Sequence, residues 1–202
     1  MKIICIGRNY VAHAHELQNE VPTSPLIFMK PQTAILKDGD AFYHPEFSKD
    51  IHYEGELVLR ICKTGKHIEE KFAEKYYDQI TYGIDFTARD LQDELKKKGH
   101  PWELAKGFDG SAVLGEFVNI EDFNKENIDF QTFLNGKIVQ DGHSNLMIYG
   151  FDYIVSYVSK FFTLKQGDLI FTGTPAGVGQ VKIGDKIEGF IEGKKLLECE
   201  VK

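Results

Sequence analysis

A chain of 202 residues, 42% of them apolar, can bury a sizeable core without disulfide stapling and is expected to form one domain over residues 1–202. A formal charge of −7, with Lys96-Lys97-Lys98 as the one compact basic run, argues against nucleic acid as a partner; that run reads as a helix C-terminus countering the helix dipole. The three cysteines (Cys5, Cys62 and Cys199) are widely spaced with no CxxC pair, which argues against zinc and fits a reducing cytoplasm, and the absence of a signal peptide or a bilayer-length apolar run makes a membrane partner unexpected.

Strand patterns dominate the chain, so an α+β, β-rich fold is expected. Residues 2–6 read as a buried strand, followed by Gly7, a short helical segment around Tyr10 to Gln18, and another strand at 26–29. In that helical segment His13 and Glu16 are three apart, so one turn can join an imidazole to a carboxylate that fixes its tautomer and supports the charge gained on taking a proton. A surface pair would have the same spacing, and His15 and His52 are alternative bases.

From Ile51 to Ile61 the period is two, which predicts one half-buried strand with His52, Glu54, Glu56, Val58 and Arg60 on one face. Two carboxylates on one face attract a cation, and they gain force if Asp85, on a second alternating segment at 80–87, joins them. Three hard oxygen ligands suit Mg²⁺ or Mn²⁺ and leave coordination positions for a chelating 2-oxo acid.

Residues 67–77 are predicted helical, and so are Ala88 to Lys98, closed by Gly99 and Pro101. Arg89 and Gln92 share a face of the second helix and, with Lys106, are candidate donors to a developing oxyanion; helix-surface roles would use the same residue types. Asn135-Gly136 marks a hairpin, and Gly193 a second. Ile154, Val155, Tyr157, Val158, Phe161 and Phe162 have the spacing of a core-facing helical stripe. Thr172-Gly173-Thr174-Pro175-Ala176-Gly177-Val178-Gly179 follows a strand at 168–171. It matches neither a P-loop nor a dinucleotide fingerprint and reads as a tight turn whose N–H groups and Thr174 could meet a carboxylate.

The order of these blocks resembles the fumarylacetoacetate hydrolase family, in particular its acylpyruvase and oxaloacetate decarboxylase/tautomerase branch. The landmarks are Gly7-Arg8-Asn9-Tyr10 with His13 and Glu16, Phe28-Met29-Lys30-Pro31, Glu54-Gly55-Glu56-Leu57 and Asp85-Phe86-Thr87-Ala88-Arg89-Asp90-Leu91-Gln92. Gly99-His100-Pro101-Trp102, Ala105-Lys106-Gly107-Phe108, Ser156-Tyr157-Val158-Ser159-Lys160 and Gly167-Asp168 through Thr172-Gly173-Thr174-Pro175 complete the series.

The resemblance implies a mixed β-roll or sandwich catalytic domain, usually a homodimer. It implies Glu54, Glu56 and Asp85 as ligands of Mg²⁺ or Mn²⁺, His13 with Glu16 as the general-base pair, and Arg89, Gln92 and Lys106 around the oxyanion. Substrate contacts would come from Arg8, Tyr10, Gly173 and Thr174. The implied activity is C–C bond hydrolysis of acylpyruvates, or decarboxylation or tautomerisation of oxaloacetate, by way of a metal-stabilised pyruvate enolate in the cleavage reactions. A 2-hydroxyhepta-2,4-diene-1,7-dioate isomerase or hydratase is the alternative on the same scaffold. A non-catalytic 2-oxo-acid-binding module ranks lower, because it would not need His13, Glu16, Gln92 and Lys106 together.

Overall fold

Alternating apolar residues between turn signals become strands throughout the computed structural model, which describes residues 1–37 and 39–202. The described residues form three sheets. In the largest, Leu26–Lys30, Ile3–Gly7, Leu169–Phe171, Gly55–Ile61, Tyr77–Asp85, Ala112–Leu114 and Ile35–Lys37 lie side by side in that order, and Val118–Asn119 also pairs with Tyr77–Asp85. The sheet is mixed: Ile3–Gly7 runs parallel to Leu169–Phe171, and Ile35–Lys37 parallel to Ala112–Leu114. A four-stranded antiparallel sheet, ordered Lys137–His143, Asp129–Leu134, Lys186–Ile191 and Lys194–Glu200, packs on its central strands. Both of this sheet's predicted hairpins are present. Asn135 (φ 52°) with Gly136 (φ 76°), and Glu192 (φ 48°) with Gly193 (φ 72°), take the left-handed pairs that tight two-residue turns require.

Leu57, Tyr82, Ile84, Phe130, Ile187 and Leu197 fill the space between the two sheets, while Ile3, Cys5, Val58, Leu169 and Phe171 form a second apolar cluster. Gly55–Ile61 is therefore buried on both faces, apart from Arg60, and is not the half-buried strand that its alternation predicts. Nor does the strand run unbroken from Ile51. Ile51–Tyr53 belongs to a three-stranded sheet with Thr87–Ala88 and Gly179–Gln180, and the chain leaves regular structure at Glu54 before Gly55–Ile61 begins.

This break depends on Gly55. Its N–H donates to Gln140 Oε1 at 2.9 Å, and its carbonyl accepts from Thr174 Oγ1 at 2.9 Å. A Cβ there would overlap both the Tyr82 hydroxyl and Thr132 Oγ1, which are themselves hydrogen bonded to each other. Gly55→Ala is expected to lower stability by about 1–3 kcal/mol, the usual size of overpacking in a tight core. Thermal unfolding checks this, and an unchanged midpoint would mean that the buried hydroxyls yield without cost.

Four helices occur among the described residues: α1 (Val11–Glu16), α2 (Arg89–Lys98), α3 (Glu103–Lys106) and α4 (Phe151–Phe161). α2 ends as predicted, on Gly99 in the left-handed region at φ 65°. The predicted helix at 67–77 is instead a 3-10 segment, Glu70–Tyr76, in which Ala73 is the one buried side chain, so no apolar stripe supports an α-helix. On α4, Ile154, Val155 and Val158 enter the core as expected. Tyr157 and Phe161 do not: with Tyr153 they line up as a row of ring contacts on the outer face, where Phe161 is 56% exposed.

Candidate active site

The register between two central strands brings the acidic residues together. Gly55 lies opposite Ile84 and Glu56 opposite Gly83, which sets Glu54 against Asp85; the Asp85 N–H donates to the Glu54 carbonyl at 2.8 Å. On the other edge of Gly55–Ile61, Phe171 pairs with Val58, so the chain leaving that strand passes beside Glu56. There the Gly173 N–H donates to Glu56 Oε2 at 2.7 Å. Gly173 sits at φ 104°, and a Cβ would come within 2.6 Å of Asn9 Cβ, so this approach requires glycine.

Glu54, Glu56 and Asp85 are all buried, and each offers an oxygen within 4.8 Å of the others. At that separation and an effective dielectric of about 20, each charged pair repels by about 3 kcal/mol. Three buried cations answer part of this. Lys106 Nζ lies 2.8 Å from Glu54 Oε2 and 2.7 Å from Asp85 Oδ2. Lys30 Nζ lies 2.7 Å from Asp85 Oδ1, and Arg89 pairs with Glu54 Oε1 while donating to Gln92 Oε1 at 2.6 Å. All three cations sit on Glu54 and Asp85, and among the described residues none pairs with Glu56.

The carboxyl groups diverge accordingly. Burial opposes the charge on Glu54, but Lys106 and Arg89 outweigh it and hold its pKa well below the ordinary carboxylate range. Burial raises Glu56, and the charges of Asp85 and then Glu54 push it well above that range. Lys106 is penalised by burial, yet Asp85 and Glu54 keep its pKa raised, so it remains an ammonium.

The triad lines an open cleft whose walls also include His13, Phe28, Arg89, Gln92, Trp102, Lys106 and Thr174. His13, 4% exposed, projects from α1 into it, with Nδ1 3.2 Å from Glu16 Oε2; Glu16 Oε1 in turn accepts the Gly177 N–H at 2.9 Å. His15 is exposed, and His52 pairs with Asp50 at 2.9 Å and does not line the cleft. Burial is the largest influence on His13 and lowers its pKa against the pull of Glu54 and Glu16, which leaves the ring neutral near pH 7.

The four residues implied as substrate contacts divide. Arg8 and Thr174 line the cleft. Thr174 Oγ1 is already engaged, donating to Gly55 and accepting from Gln140 Nε2 at 2.8 Å. Gly173 spends its N–H on the protein's own Glu56. Tyr10 does not line the cleft: it precedes α1 in extended conformation, bridges to Met147 and packs its ring edge-on against Phe130, with its hydroxyl buried.

Sequence reasoning gave no chemical role to Lys30, whose ammonium also donates to the Phe86, Lys106 and Ser111 carbonyls, or to Gln140, which joins Gly55, Thr132, Thr174 and Pro175. For Lys30 the available signal was its place in the Phe28–Pro31 landmark; for Gln140 there was none.

The residues present fit a divalent ion. The donors are all carboxylate oxygens, Glu56 lacks a cationic partner, and Asp85 Oδ1 is buried without receiving a hydrogen bond even though Lys30 is near.

The family model described as fumarylacetoacetate (FAA) hydrolase C-terminal matches residues 2–202. The mitochondrial oxaloacetate tautomerase FAHD1 of Bos taurus is 40% identical over 200 residues, covering 98% of this chain and 90% of its own length. Fumarylpyruvate hydrolase from Pseudomonas aeruginosa, solved with Mn²⁺ and pyruvate, superposes with a TM-score of 0.93 at 35% identity, covering 100% of this chain and 89% of that one. The 2-hydroxyhepta-2,4-diene-1,7-dioate isomerase from Mycobacterium marinum is similar at a TM-score of 0.86 and 34% identity, over 99% of this chain and 73% of its own. In sequence and in fold, this chain belongs to the fumarylacetoacetate hydrolase family.

Proposed function

We propose that the chain is a divalent-metal-dependent enzyme of small 2-oxo acids, which tautomerises or decarboxylates oxaloacetate or hydrolyses acylpyruvates. The observation that carries this reading is the meeting of Glu54, Glu56 and Asp85 within 4.8 Å in a cleft that is also lined by the buried His13, whose Nδ1 lies 3.2 Å from Glu16. These three residues would hold Mg²⁺ or Mn²⁺, both of which accept such oxygen donors. When bound, the ion supplies Lewis acidity at a 2-oxo carbonyl.

The chain's own groups supply the proton transfers. With its Nδ1 hydrogen on Glu16, His13 presents the lone pair of Nε2 to the cleft. In tautomerisation that nitrogen takes a proton from the carbon next to the 2-oxo group and returns it to the 2-oxo oxygen, giving the enol. In hydrolysis it takes one from the water that attacks the distal carbonyl, and returns it to the carbon that departs when the C–C bond breaks. Lys106 and Arg89, both buried and positively charged, face the charge that builds on the substrate oxygens, and low local solvation strengthens their contribution. Gln92 holds the Arg89 guanidinium in place.

The isomerase reading stands second. The cationic side chains of Arg8 and Lys96 line the cleft and could meet the second carboxylate of a dioate. A panel of oxaloacetate, acetylpyruvate, fumarylpyruvate and 2-hydroxyhepta-2,4-diene-1,7-dioate, assayed with and without EDTA, separates the readings. We expect metal-dependent turnover of oxaloacetate or an acylpyruvate, abolished by chelation and restored by Mn²⁺ or Mg²⁺. Turnover indifferent to EDTA would rule out the proposed chemistry, and a strong preference for the dioate would select the isomerase.

A further inference from the structure

Helix α2 carries Arg89, Gln92 and Lys96 at the i, i+3, i+7 spacing that places side chains on one face, and all three line the cleft. Arg89 and Gln92 are buried near the carboxylates. Lys96 lies about 10 Å further along the helix at ~1.5 Å per residue, and its side chain is 22% exposed. Lys97 and Lys98 point into solvent, where Lys98 pairs with Glu94 as a surface lysine does. Lys96 departs from that pattern. Its ammonium sits 5.7 Å from the centre of the Trp102 ring, the one carboxylate oxygen within 4 Å among the described residues is Asp93 Oδ1 at 3.7 Å, and it donates no hydrogen bond there.

Arg8 is the second unmatched cation of the cleft. It is partly exposed, lines both the cleft and the adjoining groove formed by Glu20 to Leu26, and makes no hydrogen bond or ion pair through its guanidinium among the described residues. Its backbone takes φ 57°, an uncommon conformation for a residue with a Cβ. Burial, then Arg89 and more weakly Arg8 hold the Lys96 ammonium below the ordinary lysine range, against the opposing effect of Asp93. Two cations that line one cleft with donors that no carboxylate among the described residues takes up favour an anion between them; Glu20 supports the Arg8 charge without a hydrogen bond or ion pair to it.

We propose that Arg8 and Lys96 form a second anion subsite at the cleft mouth, which takes the distal carboxylate of a 2-oxo diacid and selects such diacids over 2-oxo monoacids of equal length. The proposal rests on reading the carboxylate end of the cleft as the place of the 2-oxo group. With that group held there, the far end of a short chain points toward the mouth. A terminal methyl would leave both cations unmatched; a terminal carboxylate receives their hydrogen bonds. Arg8 and Lys96 would thereby set substrate class without touching the reacting atoms.

Trp102 is the chain's single tryptophan, and it lies against Lys96, so its fluorescence reports occupancy of this end of the cleft without any need for turnover. The Mn²⁺-loaded full chain is titrated with 2-oxoglutarate and with 2-oxopentanoate, which have the same length and differ in a terminal carboxylate or methyl. The wild type is expected to bind the diacid about tenfold more tightly. Lys96→Met should remove most of that preference, Lys96→Arg should retain it, and the double variant Arg8→Met/Lys96→Met should abolish it. Equal binding of the two ligands by the wild type, or an unchanged ratio in the methionine variants, would overturn the subsite. Turnover of oxaloacetate, acetylpyruvate and fumarylpyruvate in the same samples keeps the two ideas apart. A diacid preference lost in Lys96→Met with no turnover of any of the three supports the subsite and sinks the proposed activity, turnover of any of them without a diacid preference sinks the subsite alone, and neither binding nor turnover sinks both.

Discussion

Turnover in His13→Ala is expected to fall by about 10²- to 10⁴-fold, the usual contribution of a positioned general base, while divalent-metal affinity is retained. The pair that His13 forms with Glu16 is anchored at both ends. The imidazole is buried on α1, and the far oxygen of Glu16 is fixed by the Gly177 N–H at 2.9 Å. Only the neutral ring can accept a proton. Because burial outweighs Glu54 and Glu16 and lowers the His13 pKa, wild-type activity should hold at pH 7 and decline as pH falls through a value below histidine's ordinary value of about 6.5. That acidic limb should disappear from the residual activity of His13→Ala. The checks are a pH–rate profile for kcat/KM, which reports the free enzyme, and a Mn²⁺ titration of both proteins. Equal rates in the variant, or an acidic limb that survives the substitution, would remove His13 from the base role.

What local pattern could read, it read well. The hairpins at Asn135-Gly136 and Gly193, the glycine stop after α2 and the strands at both ends of the chain all follow from turn chemistry and alternation within a few residues. The break at Glu54 was hidden by that same alternation, because Ile51 to Ile61 keeps a period of two straight through the change of sheet. Only the contacts of Gly55 with Tyr82, Thr132 and Gln140, which lie 27 to 85 positions away, reveal why the strand ends there. Half-burial failed for a related reason: a two-residue period reports one apolar face, and Val58 is covered by a second cluster whose residues come from distant strands.

The candidate site was legible as residue types but not as an arrangement. Spacing left Glu54 and Glu56 equivalent, whereas the structure gives one carboxyl two cations and leaves the other with none. It left His13, His15 and His52 as rivals, and burial separates them, since of the three only His13 lines the cleft. Lys30 carried no local signal beyond its landmark, because the carbonyls that surround it come from Phe86, Lys106 and Ser111 and its carboxylate from Asp85. Resemblance alone ties Tyr10 to the substrate; in the structure its ring packs edge-on against Phe130 and does not line the cleft.

Glu56→Gln is expected to weaken divalent-metal binding by more than about 10²-fold, since even changes outside the coordinating shell typically cost about 10- to 100-fold. The substitution keeps side-chain shape and an oxygen that can accept the Gly173 N–H, so it removes charge with little change in packing. That charge matters because Glu56 is the carboxylate of the three without a cationic partner among the described residues. Burial and then the neighbouring carboxylates raise its pKa in the metal-free protein, so an incoming ion must displace a proton and wild-type affinity should rise with pH. The stability sign follows from the same shift. A carboxyl whose folded pKa lies above its unfolded value stabilises the metal-free fold fully below the unfolded pKa, and that contribution is lost as pH rises through the folded one. Glutamine lacks this titration, so metal-free Glu56→Gln should match or exceed the wild type in melting temperature on the alkaline side. With Mn²⁺ the order should reverse: an ion at a hundred times its Kd stabilises the fold by about 2.7 kcal/mol, a gain open to the wild type and largely closed to the variant. Thermal unfolding at several pH values, with and without MnCl₂, makes the comparison. An equal gain from Mn²⁺ in both proteins would place the ion away from Glu56.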